Sequence, residues 1–310
     1  MTSAFQIVAQ TDDLCGEAPV WVDERESLVW VDQGRKLVRD LAGGTPKVIV
    51  RGFAAGGIVP VQDGSLLLAG PDGLARLSLG GVFKRLPLDP LGAGCCLNDV
   101  CVGPDGELLA GVMALRPDGT DVSRAGALVR IENSGRVQTL DNDVMLPNGM
   151  AMSADGRWLY VVDSARRAVF RYASDELRGS SVSRSVLCVL SADDGVPDGL
   201  AVDAAGNVWL ALWYGGQVVR VSPRGEVDLR VHLPFAQISS LAFGGRDRCD
   251  LYVTTAAEPW HSVFAPSQWS ALAPQGGSLL RLRCDVPGAP VIRSRWAFGP
   301  MVDSPRNDLS

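Results

Sequence analysis

A short β-type run recurs six times along the chain, and repetition at that period leaves few folds open. The copies are SLVWVD (27–32), SLLLAG (65–70), ELLAGV (107–112), RWLYVVD (157–163), NVWLAL (207–212) and DLYVTT (250–255). A second run follows each copy and carries an arginine at a matched position: Arg39, Arg76, Arg130, Arg171, Arg220 and Arg281. A third run precedes each pair (EAPVWV, GGIVPV, NDVCV, NGMAM, DGLAV, SSLAF) and reaches it through tight turns such as PDG (104–106) or ADG (154–156). Gly and Asp supply the backbone angles these turns need. A fourth apolar segment, such as PKVIV or SVLCVL, usually closes the unit. Six such units predict an all-β fold, a single six-bladed β-propeller over 1–310 with four-stranded blades. AFQIVA (4–9) and PVIRSRWAF (290–298) each read as a strand, and one of them is expected to close the outer edge of the last blade. Six equivalent arginines cannot serve one site; they pack their stems on the blades and mark the repeat.

The first strand of each propeller blade lines the central channel, so one position recurs as a ring near a single mouth. Counting seven residues back from each turn gives Gly56, Asn98, Asn148 and Asp198, and the same register places Glu17 in blade one and Ser239 in blade six. Four of these positions, Glu17, Asn98, Asn148 and Asp198, carry carboxylate or amide oxygens. Two carboxylates and two amides converging in a narrow channel repel or go unsatisfied unless a positive charge sits between them. The ring therefore predicts one divalent metal ion. Oxygen ligands suit Ca²⁺, Mg²⁺ or Mn²⁺, and the same set can hold Zn²⁺ or Fe²⁺.

Bulk properties narrow the chemistry further. Formal charge is −6 with no run of basic residues, which argues against nucleic acid. No stretch approaches the length of a membrane span, and the N-terminal sequence lacks a basic segment followed by an apolar one, so the chain reads as cytoplasmic. Seven cysteines at irregular spacing do not form a disulfide framework. Two histidines and the absence of G-x-S-x-G leave little material for a serine triad or a His-rich zinc site. Nothing overrides a monomer, the common state of propellers.

The motifs GEAPVW (16–21), LND with PDGELLAG (97–99, 104–111), LPNGMAMSADGRWLYVVDS (146–164), PDGLAVDAAGNVWLALW (197–213) and GGSLLRL (276–282) resemble those of the senescence-marker-protein (regucalcin), gluconolactonase and luciferin-regenerating-enzyme family of metal-dependent propellers. The resemblance runs from about Gly16 to Phe298. It implies a single metal held by Glu17, Asn148 and Asp198, with Asn98 close to metal or substrate, and hydrolysis of sugar lactones or related cyclic esters. In such a site the cation polarises the lactone carbonyl and a carboxylate, here Asp198, takes a proton from the attacking water. A phosphotriesterase-like hydrolase and a non-catalytic metal-binding regulatory propeller are the alternatives.

Three departures from the family pattern bear on substrate. Cys96 stands where sugar-lactonase relatives often have Arg, Val100 where they have Gly, and Arg116 where animal relatives carry an acidic residue. Connections from second to third strand return to the site mouth. Those at 114–125, at Trp213–Gly216 and at 257–277 are the candidate rim, the last holding Trp260, His261, Phe264 and Trp269. Cys96, Arg116, Trp213 and His261 thus join Asn98 as expected substrate contacts. Cys95 and Cys96 have no predictable activating partner and read as pocket wall.

Overall fold

The computed structural model describes residues 5–116, 122–260 and 262–297. Six four-stranded antiparallel sheets make up the fold, five of them built from four consecutive strands. In the sixth, the N-terminal strand Phe5–Gln10 pairs with Ser278–Arg283 and supplies the outer edge. The chain is thus closed by its own beginning. Helical residues among those described are confined to short 3₁₀ turns, and no helix is long and apolar enough to cross a membrane.

The matched arginines fall on one ladder position. Trp30 faces Arg39, Leu67 faces Arg76, Leu109 faces Arg130, Tyr160 faces Arg171, Trp209 faces Arg220 and Tyr252 faces Arg281. All six are half-buried. Arg171 and Arg220 lie over the rings of Trp158 and Trp209, and Arg39 and Arg76 pair with Asp13 and Asp63.

Alternation puts the apolar side chains of each strand on the faces that adjacent blades share. The core is accordingly a set of layers between blades. Val29, Val31 and Val38 of blade one meet Leu66, Leu68 and Leu77 of blade two. Trp21, Leu28 and Trp30 of blade one close the circle against Tyr252 and Leu279 of blade six. The inner strands Gly16–Val22, Gly57–Pro60, Cys95–Val102, Pro147–Met152, Val196–Val202 and Ile238–Gly244 contact their neighbours in turn around the channel.

Asp13 lies where the closing strand hands over to blade one. It is 2% exposed, and its carboxylate accepts from the Trp30 indole N–H (2.9 Å), Arg39 Nε (2.7 Å) and the Thr11 hydroxyl (2.7 Å). Burial raises its pKa despite these donors. Asp13→Ala would leave a fully buried indole N–H and a guanidinium without their acceptor. It is expected to destabilise the fold by about 3 kcal/mol, read as a lower urea midpoint at unchanged slope; a midpoint equal to that of the parent would contradict this.

The strand predicted over 290–298 is not formed by its described residues, 290–297. Residues 288–296 instead cross the channel mouth opposite the candidate site. Ala289 N donates to Val202 O, Ser294 N to Pro60 O and Arg295 N to Gly106 O, and Trp296 is buried between blades two and three. The outer edge of the last blade is already occupied by Phe5–Gln10, and the tail packs across the ends of the inner strands with Trp296 as its buried apolar anchor.

Candidate metal centre and substrate cavity

Five of the six inner strands carry a β-bulge at the ring. The ladder slips between Glu17 and Val20, Leu97 and Val100, Pro147 and Met150, Pro197 and Leu200, and Ile238 and Ser240, while blade two pairs without interruption. A bulge leaves a residue unpaired and re-aims its side chain. Asn148-Gly149 and Asp198-Gly199 are therefore bulges within strands, not turns between them. A Cβ on Gly149 would lie 2.6 Å from Asp198 O and collide with Leu200 N, so glycine is what lets the neighbouring inner strand come this close.

The shared register holds for Gly56, Asn98, Asn148, Asp198 and Ser239 and needs correction for Glu17. Glu17 faces Val31, the ladder position that Pro147 and Pro197 occupy in blades four and five. Its side chain still joins the cavity because the next residue, Ala18, adopts φ 48° and opens the bulge, with Ala18 N donating to Glu17 Oε2 (3.1 Å). Ser239 turns away. Its hydroxyl donates to Gly16 O (2.5 Å), and the residue is fully buried.

Glu17, Asn98, Asn148 and Asp198 line one cavity of about 460 Å³ at the predicted mouth. Asn148 hydrogen-bonds Asp198, and Asn98 Nδ2 donates to Pro147 O (3.0 Å). Burial, then repulsion from Asp198 and Asp99, holds the Glu17 carboxyl well above the usual range. Burial and then Asp99 do the same to Asp198, against the pull of Asn148. Burial also pushes up the Cys15 thiol, with Glu17 and Asp198 adding to it.

No Lys, Arg or His is among the described residues lining this cavity. Nor do three His, Cys, Asp or Glu side chains cluster among the described residues so as to hold a metal by themselves. The donor set is thus two carboxylates with amide oxygens, and its buried negative charge has no protein counter-charge. That chemistry fits a hard divalent cation with water completing its shell.

The sequence reading passed over Asp99. Its carboxylate accepts from Val100 N (2.7 Å) and Met150 N (3.2 Å), tying the bulge of blade three to blade four. Burial raises it to about 7 in spite of those bonds. It faces the far chamber of the channel, behind the Glu17–Asp198 pair. The available signal was an N-D dipeptide where blades four and five have N-G and D-G.

The other expected contacts separate. Trp213 lines the cavity, and its buried indole N–H has no partner among the described residues. Cys96 lines an adjoining groove between blades two and three and is not among the residues lining the cavity, and burial pushes its thiol up to about 11. Met113 and Leu115 of the next strand cover the wall there instead. Arg116 is exposed and absent from the lining, and His261 lies outside the described residues. On the rim, Trp260 stands edge-on to Trp213 (6.0 Å, 90°) and stacks on Tyr214 (6.5 Å, 14°). Arg167 Nη2 donates to Phe264 O (2.7 Å), which ties the long loop of blade six to blade four.

The SMP-30/Gluconolactonase/LRE-like region is matched by residues 15–257 of this chain. The chain is 33% identical over 294 residues to a pentonolactonase of Haloferax volcanii, covering 94% of this chain and 98% of that protein. It is 32% identical over 293 residues to a 6-deoxy-6-sulfogluconolactonase of Pseudomonas putida, covering 93% and 97%. A solved calcium-binding protein, regucalcin from Agrobacterium tumefaciens, superposes with a TM-score of 0.79 at 26% identity, over 96% of this chain and 98% of that one.

Proposed function

We propose that this chain, which belongs to the SMP-30/gluconolactonase/LRE-like family, is a metal-dependent hydrolase that opens a lactone or related cyclic ester. The observation that carries the reading is the Glu17–Asp198 pair, flanked by Asn148 and Asn98 in a cavity with no Lys, Arg or His among its described lining residues. Relatives about one-third identical over nearly the whole chain are named lactonases, which supports the reaction class.

In this reading Glu17, Asn148 and Asp198 hold one divalent cation. When bound, such an ion keeps the carboxylates ionised and polarises an ester carbonyl. Asp198 also accepts the proton of the water that attacks the carbonyl carbon. The acyl C–O bond of the ring then breaks, and the proton passes to the departing alkoxide oxygen, leaving a hydroxy acid. Asn98 offers its amide to the substrate beside the reacting carbon, and Trp213 and Trp260 limit water at the rim.

The regucalcin likeness supports one second reading, a calcium-holding propeller without turnover. A pH-stat assay on a panel of lactones separates the two. Lactone opening is expected to vanish after chelation and to return with Ca²⁺, Mg²⁺, Mn²⁺ or Zn²⁺. Metal-replete protein that opens no lactone would overturn the hydrolase reading.

A further inference from the structure

The residues two before the ring positions lie at or near the start of the inner strands, toward the mouth. They are Cys15, Ala54, Cys96, Leu146, Val196 and Gln237. Gln237 is the only polar amide among them, and the protein has used it. Its Nε2 donates to Ala256 O (3.0 Å) and Glu258 O (2.8 Å), and its Oε1 accepts from Trp260 N (2.9 Å).

The cavity wall continues this pattern. From blade three round to blade five it is formed by Met113, Leu115, Val122, Leu146, Val196 and Trp213. The one hydroxyl on that arc, Ser164 Oγ, is buried and donates to Pro197 O (2.6 Å). Among the described lining residues above the floor, the polar side chains Gln33 and Glu258 stand on the opposite side. The cavity thus has an oxygen-bearing floor and a one-sided apolar wall.

We infer that the substrate is a lactone whose ring bears an alkyl or aryl substituent directed at blades three to five, not a polyhydroxylated ring. This inference rests on the lactonase reading. A hydroxyl turned toward Met113, Leu146 and Val196 would give up its hydrogen bonds to water and gain none from those side chains, and the Trp213 indole N–H can serve only a single acceptor. A methylene buried there gains roughly fourfold in binding, so three or four of them outweigh incomplete contact. At about 460 Å³ the cavity has room for a five- or six-membered ring and such a substituent.

The experiment compares kcat/KM of the metal-loaded protein for aldonolactones with that for γ- and δ-lactones carrying a butyl to hexyl chain or a phenyl ring. The apolar-substituted set is expected to be at least about tenfold better. Leu146→Ala, on the apolar arc, should raise KM several-fold more for that set than for the aldonolactones. Equal or faster opening of aldonolactones would overturn the inference while leaving the lactonase reading intact. Failure to open either set would remove the reading and the inference with it.

Discussion

Replacing Asp198 by asparagine is expected to lower kcat for lactone opening by about 10³-fold at saturating metal, while the protein keeps its fold and binds the ion more weakly. Asparagine retains one oxygen for a cation but has no lone carboxylate oxygen to accept a proton from water. Asp198 sits 6% exposed on a bulge whose geometry depends on Gly199 and the backbone of blade six, not on its own charge. The loss should therefore fall on kcat more than on KM, and the far-ultraviolet spectrum should not change. A variant with kcat within tenfold of the parent would show that the water is activated by another group, with Asp99 next to be tested.

Glu17→Gln is the second large effect. One of two buried carboxylates becomes a neutral amide, so divalent-ion affinity is expected to fall by about 100-fold or more, read by calorimetric titration of chelator-treated protein. The metal-free variant should at the same time be more stable than the metal-free parent, by about 1 kcal/mol, because Glu17 and Asp198 no longer repel each other across the channel. Opposite signs in the metal-bound and metal-free states distinguish a ligand from a residue that merely supports the fold. If both states of the variant were destabilised, Glu17 would be structural.

The propeller was legible because each of its levels repeats. Turn residues, alternation and the arginine position return six times, and in every blade the ladder sets the arginine against the strand that precedes it. The ring was legible for the same reason, through its fixed distance from each turn. Counting along a sequence does not detect a bulge. The slip at Ala18 therefore left Glu17 one place off in register, although it reaches the cavity. Cys96 was chosen for its place in the family pattern; it lines a groove between blades two and three, while Met113 and Leu115 of the neighbouring strand line the cavity. The C-terminal segment has the alternation of a strand. The edge it would have filled was already taken by Phe5–Gln10, a competition between distant segments that local pattern cannot register.

The most direct measurement is diffraction from crystals soaked in Mn²⁺ or Ca²⁺, with anomalous scattering used to find the ion. The account predicts one strong peak per chain, bonded to Glu17, Asn148 and Asp198, absent from Glu17→Gln crystals soaked in the same way. A peak elsewhere in the channel, or one of undiminished height in the variant, would contradict it.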